Sequence, residues 1–242
     1  FNALADGTYS NCKISVRDNA TNTSDNLSVS SFTIDTVKPV LAQVTAVSTP
    51  TSDNTSNYTF SSTEAGTIAY GGSCSSTTTS ATVANNTITF NALADGAYSN
   101  CKISVTDNAS NASDNLSVSS FTIDTTAPTV SSTSPTDNQS SVSVSDNISV
   151  TFSKSMNNST ITTSTDNTNC TGTFQVSSYD NFSICVQMSS SPSTPNSDNL
   201  TFSVTPSLKM YYSKTYKIRV TTAAEDSAGN NIASQYTQTY GF

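Results

Sequence analysis

One short pattern of oxygen-bearing side chains occurs three times in the chain and offers the clearest candidate chemistry. Each copy reads Asp-x-Ala-x-Asn and follows a stretch that alternates apolar and polar residues, as a strand does. Asp and Asn bond to nearby backbone N–H groups and tolerate left-handed conformations, so the pattern is typical of a turn. The same oxygens also suit Ca²⁺, which prefers carboxylate, amide and carbonyl ligands. The three Asp and Asn pairs are Asp18 and Asn22, Asp107 and Asn111, and Asp226 and Asn230.

Two further aspartates lie in short Pro-containing linkers, at Asp35 and Asp124. In a β-sandwich the loop after the next-to-last strand can approach the linker, so Asp18 is predicted to meet Asp35, and Asp107 to meet Asp124. Because each candidate site has only two carboxylates, weak calcium affinity is predicted. The turn and calcium interpretations both stay open. The candidate ligands are Asp18, Asp35, Asp107, Asp124 and Asp226.

Residues for catalysis are scarce. The sequence has no His, and its glutamates are Glu64 and Glu225 alone. This excludes a His-based triad and His metal ligands, and no Gly-rich phosphate loop is recognisable. The sequence therefore predicts a protein that is not an enzyme, with Ca²⁺ the one cofactor to consider.

Tyrosines gather near the C-terminal end of the chain. Tyr211 and Tyr212 are the candidates for a platform on which sugar rings stack, although the sequence has no Trp. The alternative is core and cross-strand packing, because Tyr favours strands in any case. The tyrosines of this group are Tyr211, Tyr212, Tyr216, Tyr236 and Tyr240.

The elements that must position these side chains follow from a long internal repeat. The stretch that starts at Phe1 begins again at Phe90, and the two 36-residue copies differ at four positions. Such a period is typical of modules in series. Short alternating segments separated by Ser, Thr, Asn and Gly predict strands throughout, among them Phe182–Met188, and no segment has helical periodicity.

The predicted fold is therefore all-β, with tandem sandwiches joined by linkers that Pro makes stiff and extended. Residues 1–36 are predicted to be the C-terminal half of a module and the least stable part, residues 37–126 a complete module, and residues 127–242 a last module of different sequence. Because the chain starts within a repeat, we expect it to be an excerpt of a longer protein.

The repeat also assigns the five cysteines. Cys74 and Cys101 lie 27 residues apart in the complete module, and Cys170 and Cys185 lie in the last module, so we expect two disulfides. Cys12 is the repeat equivalent of Cys101, and its partner would precede the first residue. Five reduced core thiols are the alternative. Disulfides would indicate an oxidising compartment.

Composition excludes some partners. The net charge is −8 with nine Lys and Arg, so no basic stripe is available for nucleic acid. No apolar run reaches the length of a membrane span. Apolar residues make up 34% of the chain, enough for the thin core between two sheets.

Two groups of motifs resemble known families. One group is similar to bacterial immunoglobulin-like repeats of large surface proteins and adhesins, and it covers residues 1–126. The other group resembles the SbsA-type bacterial Ig-like domain and covers residues 127–242. It departs from that pattern at Lys154 and Ser155, where such domains usually carry an acidic residue and Pro. The motifs are Leu93–Gly96, Ile103–Asn111 and Phe121–Pro128 for the former, and Ser134–Asp137, Ile148–Ser153 and Asp226–Asn230 for the latter.

The resemblance implies an immunoglobulin-like fold, a cell-surface or extracellular location, and calcium at the junctions. Near-identical modules in series suit projection, so we expect a non-catalytic spacer or stalk, as in an adhesin, whose partners are the neighbouring modules. The alternative is a binding module, in which residues 127–242 would contact a host or matrix glycan or protein.

Overall fold

The computed structural model describes residues 3–166 and 168–242, and it confirms the all-β prediction. Within these residues the chain forms nineteen strands and one 3₁₀ turn, Asn158–Thr160. The described part contains no helix that is long and apolar enough to cross a membrane. The strands are β1 (Gly7–Tyr9), β2 (Lys13–Ile14), β3 (Leu27–Ser28), β4 (Phe32–Ile34), β5 (Leu41–Thr45), β6 (Asn57–Ser62), β7 (Gly66–Gly71), β8 (Ser80–Ala81), β9 (Ala84–Thr89), β10 (Gly96–Tyr98), β11 (Lys102–Asp107), β12 (Leu116–Ser117), β13 (Phe121–Ile123), β14 (Val130–Ser134), β15 (Ile148–Phe152), β16 (Phe174–Ser177), β17 (Thr201–Val204), β18 (Lys217–Val220) and β19 (Tyr236–Thr237).

Residue contacts divide the chain into two compact units. The first runs through Val47 and adds Thr55–Ala92 and Tyr98–Ser120. The second consists of Ser48–Asn54, Leu93–Ala97 and Phe121–Phe242. The module boundaries predicted after residues 36 and 126 follow the period of the sequence and stay a prediction.

The larger sheets of the first unit are both antiparallel, β5-β6-β9 and β12-β11-β7-β8, and β1-β4 and β2-β3 form two-stranded sheets. Successive residues of a strand point to opposite faces, and both central strands obey this period. In β6 the buried positions are Tyr58, Phe60 and Ser62, and in β11 they include Ile103 and Val105. The apolar faces of the two sheets therefore supply the core of a sandwich.

The second unit has its own pair of antiparallel sheets, β14-β15-β17 and β16-β18-β19. Its buried core takes residues from both sheets, such as Val150 from β15 and Ile218 from β18. Phe152 and Phe202 meet edge to face, with ring centroids 5.9 Å apart. This geometry is the one that aromatic pairs favour.

The predicted strand Phe182–Met188 is wrong. Phe182 adopts a φ of 51°, which a strand residue cannot have, and Met188 joins a single bridge to Pro206. The guanidinium carbon of Arg219 lies over the Phe182 ring, 4.0 Å from the ring centroid. Val186 donates a backbone hydrogen bond to Val176 of β16 and Met188 is buried in the core, but the segment forms no strand.

The two copies of the repeat differ in burial although their sequences nearly match. Ile103 is 1% exposed, whereas its equivalent Ile14 is 44% exposed. In the second copy β11 lies between β12 and β7, whereas in the first copy β2 pairs with β3 alone among the described strands. Because β2 lacks the second neighbouring strand that β11 has, Ile14 stays exposed, and two such short strands are marginal in water.

The repeat supplies a matched pair of variants. Ile103→Ala should lower the free energy of unfolding by about 2–5 kcal/mol, because it removes fully buried methylene groups. Ile14→Ala, in the same local sequence, should change it by less than about 0.5 kcal/mol. Urea unfolding followed by circular dichroism measures both. Equal effects of the two variants would contradict the burial difference.

Candidate metal site and linker contacts

All three Asp-x-Ala-x-Asn motifs fold into the same hydrogen-bonded turn. In the second motif Asp107 Oδ1 accepts hydrogen bonds from the backbone N–H groups of Ala109 and Asn111, both at 2.8 Å. The Asn111 side chain then donates to Asp107 Oδ2 at 2.9 Å. The residue before Asn111, Ser110, has a φ of 73°. The motif thus closes a tight turn at the end of β11.

The other two motifs repeat this geometry. Asn22 donates from its backbone and side chain to Asp18, at 2.8 and 3.0 Å. Asn230 does the same to Asp226, at 2.8 and 3.0 Å. Gly229 takes the positive φ in that third turn.

Two of the turns also hold a linker. The Asn111 side chain donates to the backbone carbonyl of Asp35 at 3.0 Å. The Asn230 side chain donates to the carbonyl of Asp124 at 2.7 Å. Each linker is therefore fastened to a turn that follows it in the sequence, Asp35 to the turn at Asn111 and Asp124 to the turn at Asn230.

The predicted pairing of turns with linkers is wrong by one module. Asp107 lies beside Asp35, not Asp124, and the hydrogen bonds of Asp18 stay within its own turn. The cause is strand register. Asp107 pairs with Gly66, the first residue of β7, and the chain enters β5 at this same end because Leu41 pairs with Ser62. The turn therefore faces the linker that enters its module.

Carboxylates on the other side hold the same linkers. Asp6 Oδ1 accepts hydrogen bonds from the backbone N–H and hydroxyl of Thr36, at 3.1 and 2.9 Å. Asp95 accepts the equivalent pair from Thr125, at 2.9 and 2.7 Å. The hydroxyl and N–H of Thr125 lower the pKa of Asp95, so this carboxylate stays charged. Each linker thus has hydrogen bonds from both neighbouring stretches of sequence.

Three carboxylates converge at the first linker. Oxygens of Asp35, Glu64 and Asp107 all lie within 4.8 Å of one another. The pKa of Glu64 is raised by burial of its carboxyl group, by a hydrogen bond with Asp107 and by the negative charges of Asp35 and Asp107. For Asp107, burial raises the pKa, but the bonds from Asn111 and Ala109 outweigh it and lower the pKa overall. This spacing fits a hard divalent cation bound by oxygen.

The second linker has an ammonium group where the first has Glu64. Lys154 Nζ lies 2.6 Å from Asp124 Oδ1 and 3.0 Å from Asp226 Oδ2. Burial lowers the pKa of Lys154, but the hydrogen bonds and charges of Asp124 and Asp226 outweigh it and raise the pKa. A metal here would have to displace this charge, so Asp124 and Asp226 do not enter the metal-site proposal below.

Sequence reasoning missed Glu64. The residue was visible as one of two glutamates, but an isolated carboxylate gives no signal by itself. The usable signal was the resemblance to SbsA-type domains, which usually carry an acidic residue at the position of Lys154. In this chain an acidic residue, Glu64, instead follows β6.

The tyrosines divide between core and surface. Tyr216 is buried and stacks on Phe242, whereas Tyr211 and Tyr212 are 77% and 81% exposed. Tyr211 borders a groove of about 350 Å³ together with Tyr179 and Leu208. Tyr212 borders a second groove that adjoins the first through Tyr211. The predicted pair therefore lies at the rim of a surface groove.

Two disulfides are present in the structure. Cys74 bonds to Cys101 and Cys170 bonds to Cys185, as the repeat indicated. Cys12 is a free thiol. The bond between Cys74 and Cys101 joins the loop after β7 to the start of β11, so it reinforces the pairing of these two strands.

Comparison with protein families gives one match. Residues 124–242 match the model of the bacterial Ig-like domain. Domains of this kind are generally non-catalytic structural modules and occur in surface proteins. The matched segment begins at Asp124, so it includes the linker aspartate that Lys154 contacts. No curated protein matches the chain.

Proposed function

We propose that the chain is a set of spacer modules of a bacterial cell-surface protein, an adhesin that projects a binding region away from the cell. The observation that supports this best is the fastening of both linkers. At each, an Asn from the following turn binds the linker carbonyl and an Asp from the preceding repeat binds the linker Thr. A spacer needs ordered linkers, because flexible ones lose reach through chain entropy.

The near-identity of the repeat copies supports the same role. A catalytic or ligand-binding surface seldom gains from duplication, whereas length increases with every module added. The low content of groups able to catalyse reactions agrees with it, since the chain has no His and two glutamates.

A surface-display assay tests the spacer role. The 242-residue chain is placed between an outer-surface anchor and a peptide epitope on a bacterium with a thick polysaccharide layer. We expect antibody access to exceed that given by a Gly/Ser linker of equal length, because such a linker behaves as a random coil. The double variant Asn111→Ala with Asn230→Ala should lower access. Access no better than with the Gly/Ser linker would contradict the proposal.

We also propose that Ca²⁺ binds at Asp35, Glu64 and Asp107. The support is the convergence of three carboxylates. In the equivalent site of the second unit, a cationic group, Lys154, lies between Asp124 and Asp226. Burial and then the neighbouring carboxylates raise the pKa of Glu64. Binding of Ca²⁺ would offset the repulsion among the three carboxylates and fasten the first linker to the turn at Asp107.

Thermal unfolding in Ca²⁺ and in chelator tests this site. At ten times the dissociation constant, native-state binding adds about 1.4 kcal/mol and raises the unfolding midpoint. The response should weaken as the pH falls through the raised pKa of Glu64, because the protonated acid is a poor ligand. Glu64→Gln should abolish most of the response, whereas Glu225→Gln should keep it. No shift at millimolar Ca²⁺ would contradict the metal site and leave the spacer role intact.

A second candidate function is glycan binding by residues 127–242, and the groove at Tyr211 favours it. Exposed Tyr179, Leu208 and Tyr211 border it, and they offer faces on which a sugar ring can stack. Lys209 and Lys214 also line it, and its described lining has no Asp or Glu. In a chain of net charge −8, this local excess of positive charge favours a sugar with an acidic group.

A glycan array that includes neutral and acidic sugars tests the groove. The whole chain should retain acidic glycans, and Tyr211→Ala should weaken binding by roughly tenfold, which is about 1.4 kcal/mol. Tyr240→Ala is the matched control, because Tyr240 is 69% exposed and does not border either groove. A blank array, or equal losses in both variants, would contradict this function.

A further inference from the structure

Lys154 and Glu64 occupy the same structural position in the two units. Thr63, the residue before Glu64, exchanges two hydrogen bonds with Val40, at 2.9 and 3.1 Å. Ser153, the residue before Lys154, exchanges the same two bonds with Thr129, at 3.0 and 2.9 Å. Val40 and Thr129 are 89 residues apart, as the repeat period requires.

A second register gives the same equivalence. Two residues after Glu64, Gly66 pairs with the turn aspartate Asp107. Two residues after Lys154, Met156 pairs with the turn aspartate Asp226. Position 64 of the first unit and position 154 of the second are therefore bracketed on both sides by matching backbone contacts, and their side chains face equivalent carboxylates.

The environment of Lys154 matches the capacity of one ammonium group. Nζ has three hydrogens, and three oxygen-bearing groups accept from it: the carboxylates of Asp124 and Asp226 and the carbonyl of Thr126, the last at 2.7 Å. Asp226 is 1% exposed in its side chain and Lys154 is 24% exposed, so water screens this cluster weakly.

We propose that Lys154 is the resident cation of the second linker site, and that it fixes Asp124 and Thr126 without a metal. The same frame would take a divalent cation if position 154 carried a carboxylate. The residue at this one position thus decides between a metal-dependent and a metal-independent linker. This inference rests on the proposed role of the linkers and extends it to the chemistry that holds each one.

The oxygen and nitrogen distances support a choice between the two cations. A charge-assisted N–H···O bond has a length of about 2.7–2.9 Å, and Ca²⁺ binds oxygen at about 2.3–2.6 Å. Both fit between the same two aspartates with a small movement of side chains. Ca²⁺ needs at least six oxygen ligands, however. A carboxylate at position 154, in place of the ammonium group, would supply one or two of them.

Hydrogen exchange of the whole chain with and without Ca²⁺ tests the inference, read on peptides that cover residues 124–126 and 226–230. In the wild type we expect the same protection in Ca²⁺ and in chelator. Lys154→Gln should lose protection by roughly tenfold in both conditions, because the ammonium is removed and no carboxylate is added to hold Ca²⁺. Lys154→Glu should lose protection in chelator and regain it in millimolar Ca²⁺.

Each variant has an outcome that would overturn one part of the proposal. Unchanged protection in Lys154→Gln would overturn the role of the ammonium group. Protection that Ca²⁺ fails to restore in Lys154→Glu would overturn the claim that the frame can take a metal. If Lys154→Glu does not fold, Glu64→Lys provides the reciprocal test. It should protect peptides around Asp35 and residues 107–111 in chelator, and an absence of added protection would overturn the equivalence.

These outcomes are separable from those of the proposed functions. The spacer role is decided by epitope access, and the first calcium site by a response that Glu64→Gln removes. The Lys154 variants are read at peptides of the second unit. Failure of one therefore does not imply failure of the others.

Discussion

Repulsion between two carboxylates is the constraint on which both linker sites depend. Register brings the turn aspartate of β11 or of the last module next to the aspartate of the linker that enters that module. The contact is useful, since it lets the turn amide reach the linker carbonyl. It also concentrates negative charge where burial weakens screening. At the second site Lys154 offsets this negative charge, and at the first site the proposed Ca²⁺ would do so.

The turns tolerate this because their own hydrogen bonds stabilise the charged form. Backbone N–H groups and an Asn amide surround Asp107 and Asp226, and they lower the pKa of both carboxyls despite burial. Protonation of Asp107 or Asp226 is therefore unfavourable at neutral pH. In the first unit the concentrated negative charge helps to raise the pKa of Glu64. In the second unit the ammonium group of Lys154 offsets the negative charge of the aspartates. The two linker sites therefore match in their aspartates and differ in the charge of one residue, Glu64 in the first site and Lys154 in the second.

Sequence period and alternation predicted the all-β architecture and the cysteine partners, because both depend on local pattern and on the repeat. The linker contacts were harder. The partner of Asp107 depends on which end of β11 meets the entering chain, and that follows from antiparallel register, which a sequence does not state. Glu64 has no pattern of its own. Phe182–Met188 has a strand-like composition, but a disulfide at Cys185 and a positive φ at Phe182 set its path.

The near-identity of β2 and β11 has a consequence for how the chain finds its native pairing. Strand β7 meets β11, yet the side chains of Lys13 and Ile14 match those of Lys102 and Ile103. Of the positions that pair with β7, only Thr106 differs from its equivalent in the first copy, Arg17, and the difference in loop-closure entropy is less than about 1 kcal/mol. The duplication also copies the cysteine, because Cys12 occupies the position of Cys101 and is a free thiol, whereas Cys101 is bonded to Cys74. The duplicated segments thus offer Cys74 two chemically equivalent partners, a choice that a chain of unlike modules would not face.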